Sequence, residues 1–202
     1  MATTASDGPI ALFGGSFNPP HVVHGMVCLY LLQTGCSEVW VIPTFAHAFA
    51  KPLATFEDRL AMCRSMVEPL GARVKVLDIE ARLAKPSYTI DTVCALKAIH
   101  SEATFQWVVG SDILDELDRW KRVDELKALV DFRVLHRTGY ATPKGSVAFP
   151  EVSSTAIRRA LAEGQDPGAL LPVGVLGHIR RRGLYQAIRP PGSGAQTVEE
   201  LS

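Results

Sequence analysis

Residues 10–33 restrict the fold more than any other stretch of this chain. Residues 10–13 form a short apolar run typical of a buried strand, and Gly14 and Gly15 follow it directly. After two prolines comes a second apolar run, residues 22–33, which has the length of a helix. Because glycine permits a sharp turn and leaves room above the backbone, the sequence predicts a strand–turn–helix unit with an open corner.

The same alternation continues along the rest of the chain. Strands are expected at residues 38–43, 73–79, 104–109, 132–135 and 147–149, and helices at 55–69, 88–99, 112–117, 123–130, 153–161 and 172–182. This order predicts a single-domain α/β fold with a doubly wound, parallel, Rossmann-like sheet. The helix at residues 22–33 is apolar on nearly all sides, so we expect it to pack between the sheet and another element.

Two of the predicted strands end at glycine. One runs into Gly14 and Gly15, and the other into Gly110, Ser111 and Asp112. Ligands of doubly wound sheets bind at the carboxyl ends of the strands, where the strand order reverses. We therefore expect both glycine-marked ends to border one crevice. The folded domain should span residues 9–188, with residues 1–8 and the Pro-, Gly-, Ser- and Glu-rich residues 189–202 disordered.

Composition limits the classes of function. The 21 basic residues balance 21 acidic ones, which argues against binding to nucleic acid or to an acidic membrane surface. The longest apolar run, residues 26–32, is too short to cross a bilayer, and the N-terminus has no signal-peptide pattern. We therefore expect a cytoplasmic protein whose cysteines are core thiols without a disulfide or zinc framework: Cys28, Cys36, Cys63 and Cys94.

His21 and His24 stand at the start of the helix at residues 22–33. Residues three apart share a helical face, so the two imidazoles should point together. The unpaired N–H groups and partial positive charge of a helix start favour phosphate there. The residues are equally consistent with a plain turn followed by polar capping side chains. Neither the G-x-G-x-x-G fingerprint nor a P-loop is present, so a phosphate would bind by another arrangement.

A second polar cluster opens the helix at residues 153–161. Arg158 lies on the same helical face as Ser154 and Thr155, so one phosphate could contact all three side chains. The alternative is an N-cap followed by a surface arginine.

These two stretches resemble, in the same order along the chain, the signature motifs of the nucleotidyltransferase superfamily marked by His-x-Gly-His. In detail they resemble bacterial nicotinate-nucleotide adenylyltransferases, and the resemblance runs from residue 14 to about residue 185. The first motif departs from the pattern at Val23, where the signature has glycine. The other matching segments are Ser153-Ser154-Thr155-x-x-Arg158, Pro86-Ser87-Tyr88-Thr89, Gly110-Ser111-Asp112, Trp120, and a loop with His47 and Lys51.

The resemblance implies transfer of AMP from ATP to nicotinate mononucleotide, which gives nicotinate adenine dinucleotide and pyrophosphate in NAD biosynthesis. It implies catalytic roles for His21, His24 and Arg158, and phosphate contacts from His47 and Lys51. The ATP-binding residues would be Gly14, Gly15, Ser16, Phe17, Ser153, Ser154 and Thr155. The nicotinate- and ribose-binding residues would be Ser87, Tyr88, Thr89, Gly110, Asp112 and Trp120. Mg²⁺ would arrive with ATP, without a metal site of the protein itself, and the partners would be small molecules.

Three alternatives stay open. The acceptor could be nicotinamide mononucleotide or another phosphate such as phosphopantetheine. The chain could also be a nucleotide-binding module without catalysis, an idea that only Val23 favours. A zinc site at His21, His24 and His47 is disfavoured, because the common zinc pattern is His-x-x-x-His with an adjacent glutamate. The sequence does not determine the oligomeric state, and a homo-oligomer is compatible with it.

Overall fold

The computed structural model describes residues 8–45, 53–139 and 147–186. Six strands form one sheet in the order β3-β2-β1-β4-β5-β6, and every neighbouring pair is parallel. The strands are β1 (Ile10–Gly15), β2 (Glu38–Pro43), β3 (Val74–Val76), β4 (Phe105–Gly110), β5 (Asp131–Arg137) and β6 (Ala148–Phe149). The prediction of a doubly wound, Rossmann-like parallel sheet is confirmed.

Six α-helices occur in the described ranges, of which the first four lie between strands and the last two follow β6: α1 (Val22–Gln33), α2 (Phe56–Val67), α3 (Thr89–Ile99), α4 (Val123–Leu129), α5 (Ser154–Ala162) and α6 (Val173–Arg182). Two of them begin at the predicted cap. The hydroxyl of Thr55 accepts the N–H of Asp58 at 3.1 Å, and the hydroxyl of Ser153 accepts the N–H of Ala156 at 3.4 Å. Each side-chain oxygen satisfies a backbone donor that the first helical turn leaves unpaired.

Three local predictions differ from the structure. The third strand covers only Val74–Val76, and the expected helix after β4 is a 3-10 helix, Ser111–Arg119. Helix α1 packs only one face into the core, and Met26 and Leu29 on its other face remain 46% and 45% exposed. The expectation that α1 is covered on both sides was therefore wrong for that face. The expected disordered ends, residues 1–8 and 189–202, lie outside the described residues apart from Gly8.

Hydrophobic clusters cover both faces of the sheet. Strand β1 pairs with β4 only as far as Leu12 and Trp107, although both strands continue beyond these residues. The two carboxyl ends therefore separate and leave a crevice between them, at the position that the strand order predicts. The Trp107 ring lies against Gly14, where a Cβ atom would come within 2.6 Å of the ring, so only glycine fits there. No helix in the described ranges has the length and apolarity needed to cross a membrane.

Candidate active site

The two histidines at the start of α1 lie together, as their spacing predicts. Their rings stack with centroids 3.7 Å apart. The backbone N–H of His21 donates to Nδ1 of His24 at 3.0 Å. Because Nδ1 of His24 is an acceptor, a neutral His24 carries its proton on Nε2 and can donate from there. Nδ1 of His21 is buried without a hydrogen-bond partner in the described structure.

Burial keeps both imidazoles neutral. It lowers the pKa of His21 to about 4, with a smaller contribution from the positive charge of Arg137. The pKa of His24 also falls well below its ordinary value, through burial first and then through His21 and Arg137. At neutral pH the pair therefore presents neutral N–H donors, and the local positive charge comes from an arginine.

Arg137 is a site residue that the sequence analysis missed. It ends β5, and its guanidinium donates to Oδ2 of Asp112 at 3.0 Å. Its backbone N–H donates to the hydroxyl of Ser111 at 3.2 Å. These contacts tie the ends of β4 and β5 together beside the histidines. The available signal was its place at the carboxyl end of a predicted strand next to β4, which is where ligands of such sheets bind.

Helix α5 docks its N-terminus on the turn that precedes α1. The hydroxyl of Ser154 donates to the carbonyl of Pro19 at 2.9 Å, and Arg158 donates to the carbonyl of Asn18 at 2.6 Å. Arg158 also donates to the hydroxyl of Thr155 at 3.2 Å. Arg158, Ser154 and Thr155 are thus on one side of α5, as expected. However, the hydroxyl of Ser154 is already bonded to the Pro19 carbonyl. The contacts with Asn18 and Thr155 engage only some of the N–H donors of the Arg158 guanidinium.

The Phe17 side chain is directed into the core. Its ring is buried among the apolar residues beneath the sheet and packs 4.9 Å from the His24 ring, centroid to centroid. Its backbone φ of 45° lies in the left-handed region, which a bulky residue seldom adopts. The side chain therefore supports His24 from the core, and contact with ATP through the Phe17 backbone stays a prediction.

A cleft of about 390 Å³ opens at the crevice between β1 and β4. Glycine backbone from the first turn forms one side, and aromatic and hydroxyl side chains form the other. Three charged residues of the lining were not predicted from the sequence: Glu80, Arg119 and Lys121. Seven residues that line the cleft were predicted as site residues: Gly14, Gly15, Ser16, Ser87, Tyr88, Thr89 and Trp120.

Two side chains of the cleft are already engaged. The hydroxyl of Ser87 donates to the buried Glu80 carboxylate at 2.8 Å, and the ammonium of Lys121 lies 4.2 Å above the Tyr88 ring. The histidines, Arg158 and Asp112 are not among the residues that line the cleft. The histidines and Arg158 lie at the turn before α1, whereas Asp112 follows β4 and contacts Arg137. His47 and Lys51 fall outside the described residues.

Comparisons with known proteins agree with this architecture. A cytidylyltransferase-like family model matches residues 12–160. A probable nicotinate-nucleotide adenylyltransferase of Anaeromyxobacter dehalogenans is 45% identical, with 88% of this chain and 96% of the relative covered. The protein of the same name from Myxococcus xanthus is 39% identical, with 90% and 97% covered.

A solved structure, Plasmodium falciparum nicotinic acid mononucleotide adenylyltransferase complexed with NaAD, has the same fold. It superposes with a TM-score of 0.72 at 19% identity and covers 88% of this chain and 97% of its own. The family match spans most of the folded chain, and the named relatives align over nearly their whole length. The chain therefore belongs to the cytidylyltransferase-like family and, within it, to the nicotinate-nucleotide adenylyltransferases.

Proposed function

We propose that this chain is an enzyme that transfers AMP from ATP to nicotinate mononucleotide, a step of NAD biosynthesis. A 5′-phosphate oxygen of the mononucleotide forms a bond to the α-phosphorus of ATP. The bond from that phosphorus to the oxygen that bridges it to the β-phosphorus breaks, and pyrophosphate leaves with the electron pair. The observation that carries the proposal is the aromatic-walled cleft beside paired, neutral imidazoles at the end of β1.

The chemistry needs no protein nucleophile and no general base. The second pKa of a phosphate monoester is about 6, so the attacking group is mostly ionised at neutral pH. The protein has to hold two anions in line and stabilise the charge that builds up on the α-phosphate and the pyrophosphate. We assign that stabilisation to the N–H donors of His21 and His24, and contacts with the β- and γ-phosphates to Arg158 and Thr155.

The acceptor would occupy the cleft, with its pyridine ring near Trp120 and the 87–89 turn. Asp112 and Gly110 are proposed to contact a ribose, and Arg137 holds the Asp112 carboxylate in place. Gly14, Gly15 and Ser16 would line the path of the ATP phosphates, since glycine leaves the backbone N–H groups accessible. His47 and Lys51 remain proposed phosphate contacts.

Mg²⁺ is proposed to accompany ATP, bound to phosphate oxygens and water, and to neutralise phosphate charge. The donor set suits this arrangement. Asp112 is engaged by Arg137, and in the described ranges no three His, Cys, Asp or Glu residues cluster closely enough to hold a metal. We further propose a cytoplasmic location and small-molecule partners. The four cysteines are free thiols, as is typical of proteins in a reducing compartment.

The acceptor can be tested directly by measuring pyrophosphate release from ATP and Mg²⁺. Nicotinate and nicotinamide mononucleotide are compared side by side, with a reaction lacking acceptor as the control and mass spectrometry to identify the dinucleotide. We expect kcat/KM to be at least about tenfold higher for the acid, which corresponds to about 1.4 kcal/mol of discrimination. A preference for the amide would keep the reaction and refute the acceptor. ATP binding without pyrophosphate release would favour the module without catalysis.

Val23 offers a second test, because its methyl groups pack into the core. The residue is 8% exposed and belongs to the cluster beneath the sheet, so its side chain does not crowd the nucleotide side. Replacing it by glycine should lower the free energy of unfolding by about 2–3 kcal/mol, from lost burial and reduced helix propensity. The KM for ATP should not change.

Urea unfolding and steady-state kinetics measure both effects. Gly25→Ala is the matched control in the same helix, because a Cβ there meets nothing within 4 Å. We expect this control to stabilise the protein slightly. A clearly lower KM for ATP in Val23→Gly would show that valine does restrict the nucleotide site.

A further inference from the structure

A buried arginine lies behind the site and joins three separate segments. Arg59, in the first half of α2, is 1% exposed. Its guanidinium donates to the carbonyls of Ser16 at 2.9 Å, Ala54 at 3.1 Å and Phe45 at 3.3 Å. These carbonyls belong to the turn after β1, the residue before the α2 cap, and the chain just after β2. One planar side chain thus sets the spacing of three backbone segments.

The charge of Arg59 has no carboxylate partner at salt-bridge distance in the described part of the chain. Burying a cation whose donors bond to carbonyls costs free energy, and burial lowers the pKa of this arginine although the charge of nearby Glu80 opposes the shift. An apolar side chain of similar length would fill the same volume without that penalty. Packing alone therefore does not explain an arginine here, whereas the fork geometry of its donors does.

Two further buried side chains hold the same segments. Glu80 accepts the N–H of Phe45 at 2.9 Å, and Asn18 accepts the N–H of Ala54 at 3.1 Å. The backbone N–H and C=O groups of Phe45 and of Ala54 are therefore all hydrogen-bonded to buried polar side chains. Asn18 also accepts the hydroxyl of Tyr185 at 2.7 Å, which connects the network to the chain after α6. Ser16 and Glu80 both line the cleft, so the network forms part of its rear wall.

We propose that Arg59 is a positioning residue for adenylyl transfer. By holding the Ser16 carbonyl, it sets the turn that leads from β1 to the two histidines against the wall of the acceptor cleft. It does not contact substrate, since its side chain is buried behind the turn. The expected loss of kcat rests on the proposed function. The expected role of Arg59 in holding the turn at residues 14–17 does not.

The kinetic test compares Arg59→Lys and Arg59→Met with the parent. Lysine keeps the charge but lacks the planar fork, so it cannot bridge three carbonyls at once. We expect kcat to fall at least about tenfold in the lysine variant and about 100-fold in the methionine variant. The KM values for ATP and the acceptor should stay within about threefold of the parent. Exposed Arg64 in the same helix supplies the controls, Arg64→Lys and Arg64→Met, which should match the parent.

A second readout is independent of activity. Amide hydrogen exchange, followed by mass spectrometry, should increase at least about tenfold in peptides covering residues 14–17 of the Arg59 variants. Peptides of β4 should exchange as in the parent, which shows that the domain is folded. If the methionine variant does not fold, the lysine variant decides both readouts.

The outcomes separate the two proposals. Parent-like kcat and parent-like exchange at residues 14–17 in a folded Arg59→Lys would overturn the positioning role, as would a raised KM with unchanged kcat. A parent protein that releases no pyrophosphate with either mononucleotide would refute the proposed function. Exchange at residues 14–17 would then still decide whether Arg59 holds the turn.

Discussion

Replacing His24 by alanine is expected to lower kcat for pyrophosphate release by about 10²- to 10³-fold, the loss typical of removing one preorganised donor. The side chain is held by its Nδ1 contact with the His21 N–H and by the Phe17 ring, which leaves the Nε2–H as the donor. Because the capping contact and the ring contacts with His21 and Phe17 are lost together, the free energy of unfolding should fall by about 1–3 kcal/mol, which leaves the protein folded. Steady-state kinetics and urea unfolding measure the two quantities.

The controls for His24 test its charge as well as its position. His100→Ala removes an exposed imidazole beside Trp40, away from the crevice, and should leave kcat unchanged.

Since the pKa values of His21 and His24 are lowered, kcat/KM of the parent should not rise as the pH is lowered from 8 to 6. A rise toward acid pH would mean that a charged imidazole acts. Near-normal turnover in His24→Ala, or loss of folding, would contradict the proposed role.

Replacing Arg158 by methionine is expected to lower kcat/KM for ATP by about 10²-fold, mainly through a higher KM. Its guanidinium has five N–H donors, and the contacts with Asn18 and Thr155 leave others free for phosphate oxygens. A lost charge-assisted, forked contact with phosphate is worth about 1.5–3 kcal/mol, which agrees with that factor. Measuring the dependence of initial rate on ATP concentration at saturating acceptor gives the value.

Two variants separate phosphate contact from docking of α5. Arg159→Met removes the neighbouring exposed arginine, which pairs with Glu163 on the solvent side, and should not change KM for ATP. Ser154→Ala removes the bond to the Pro19 carbonyl but leaves the arginine in place. We expect its effect on kcat/KM to be less than about tenfold. Equal losses in Ser154→Ala and Arg158→Met would show that Arg158 acts by docking the helix and not by binding ATP.

The alternation of apolar runs and helical patterns was sufficient to predict the order of strands and helices. Period-two and period-3.6 patterns reflect which face of an element is buried, so they identify a strand such as β4 from local sequence. They do not show how much of a helix surface is covered by the sheet and the other helices. Helix α1 is apolar nearly all round, yet Met26 and Leu29 stay exposed because only one of its faces meets the sheet.

The candidate site was only partly predictable. The paired histidines and the grouping of Ser154, Thr155 and Arg158 follow from helical spacing, which local sequence contains. Arg59 has no such local signal, and the only signal for Arg137 is its place just after a predicted strand. Each acts on partners from other elements, Arg137 on Asp112 and Arg59 on Ser16. Such contacts depend on strand order and on the packing of α2 behind the first turn.

By itself, the sequence determined the α/β class, the two glycine-marked strand ends and the two polar helix starts, because these features depend on residues close together in the chain. Only the tertiary structure decided that Arg158 donates to the Asn18 carbonyl, 140 residues away, and Ser154 to the Pro19 carbonyl, 135 residues away. It also decided that the histidines are neutral. Whether an imidazole is charged depends on how far burial excludes water from it, and burial arises only when distant segments pack together.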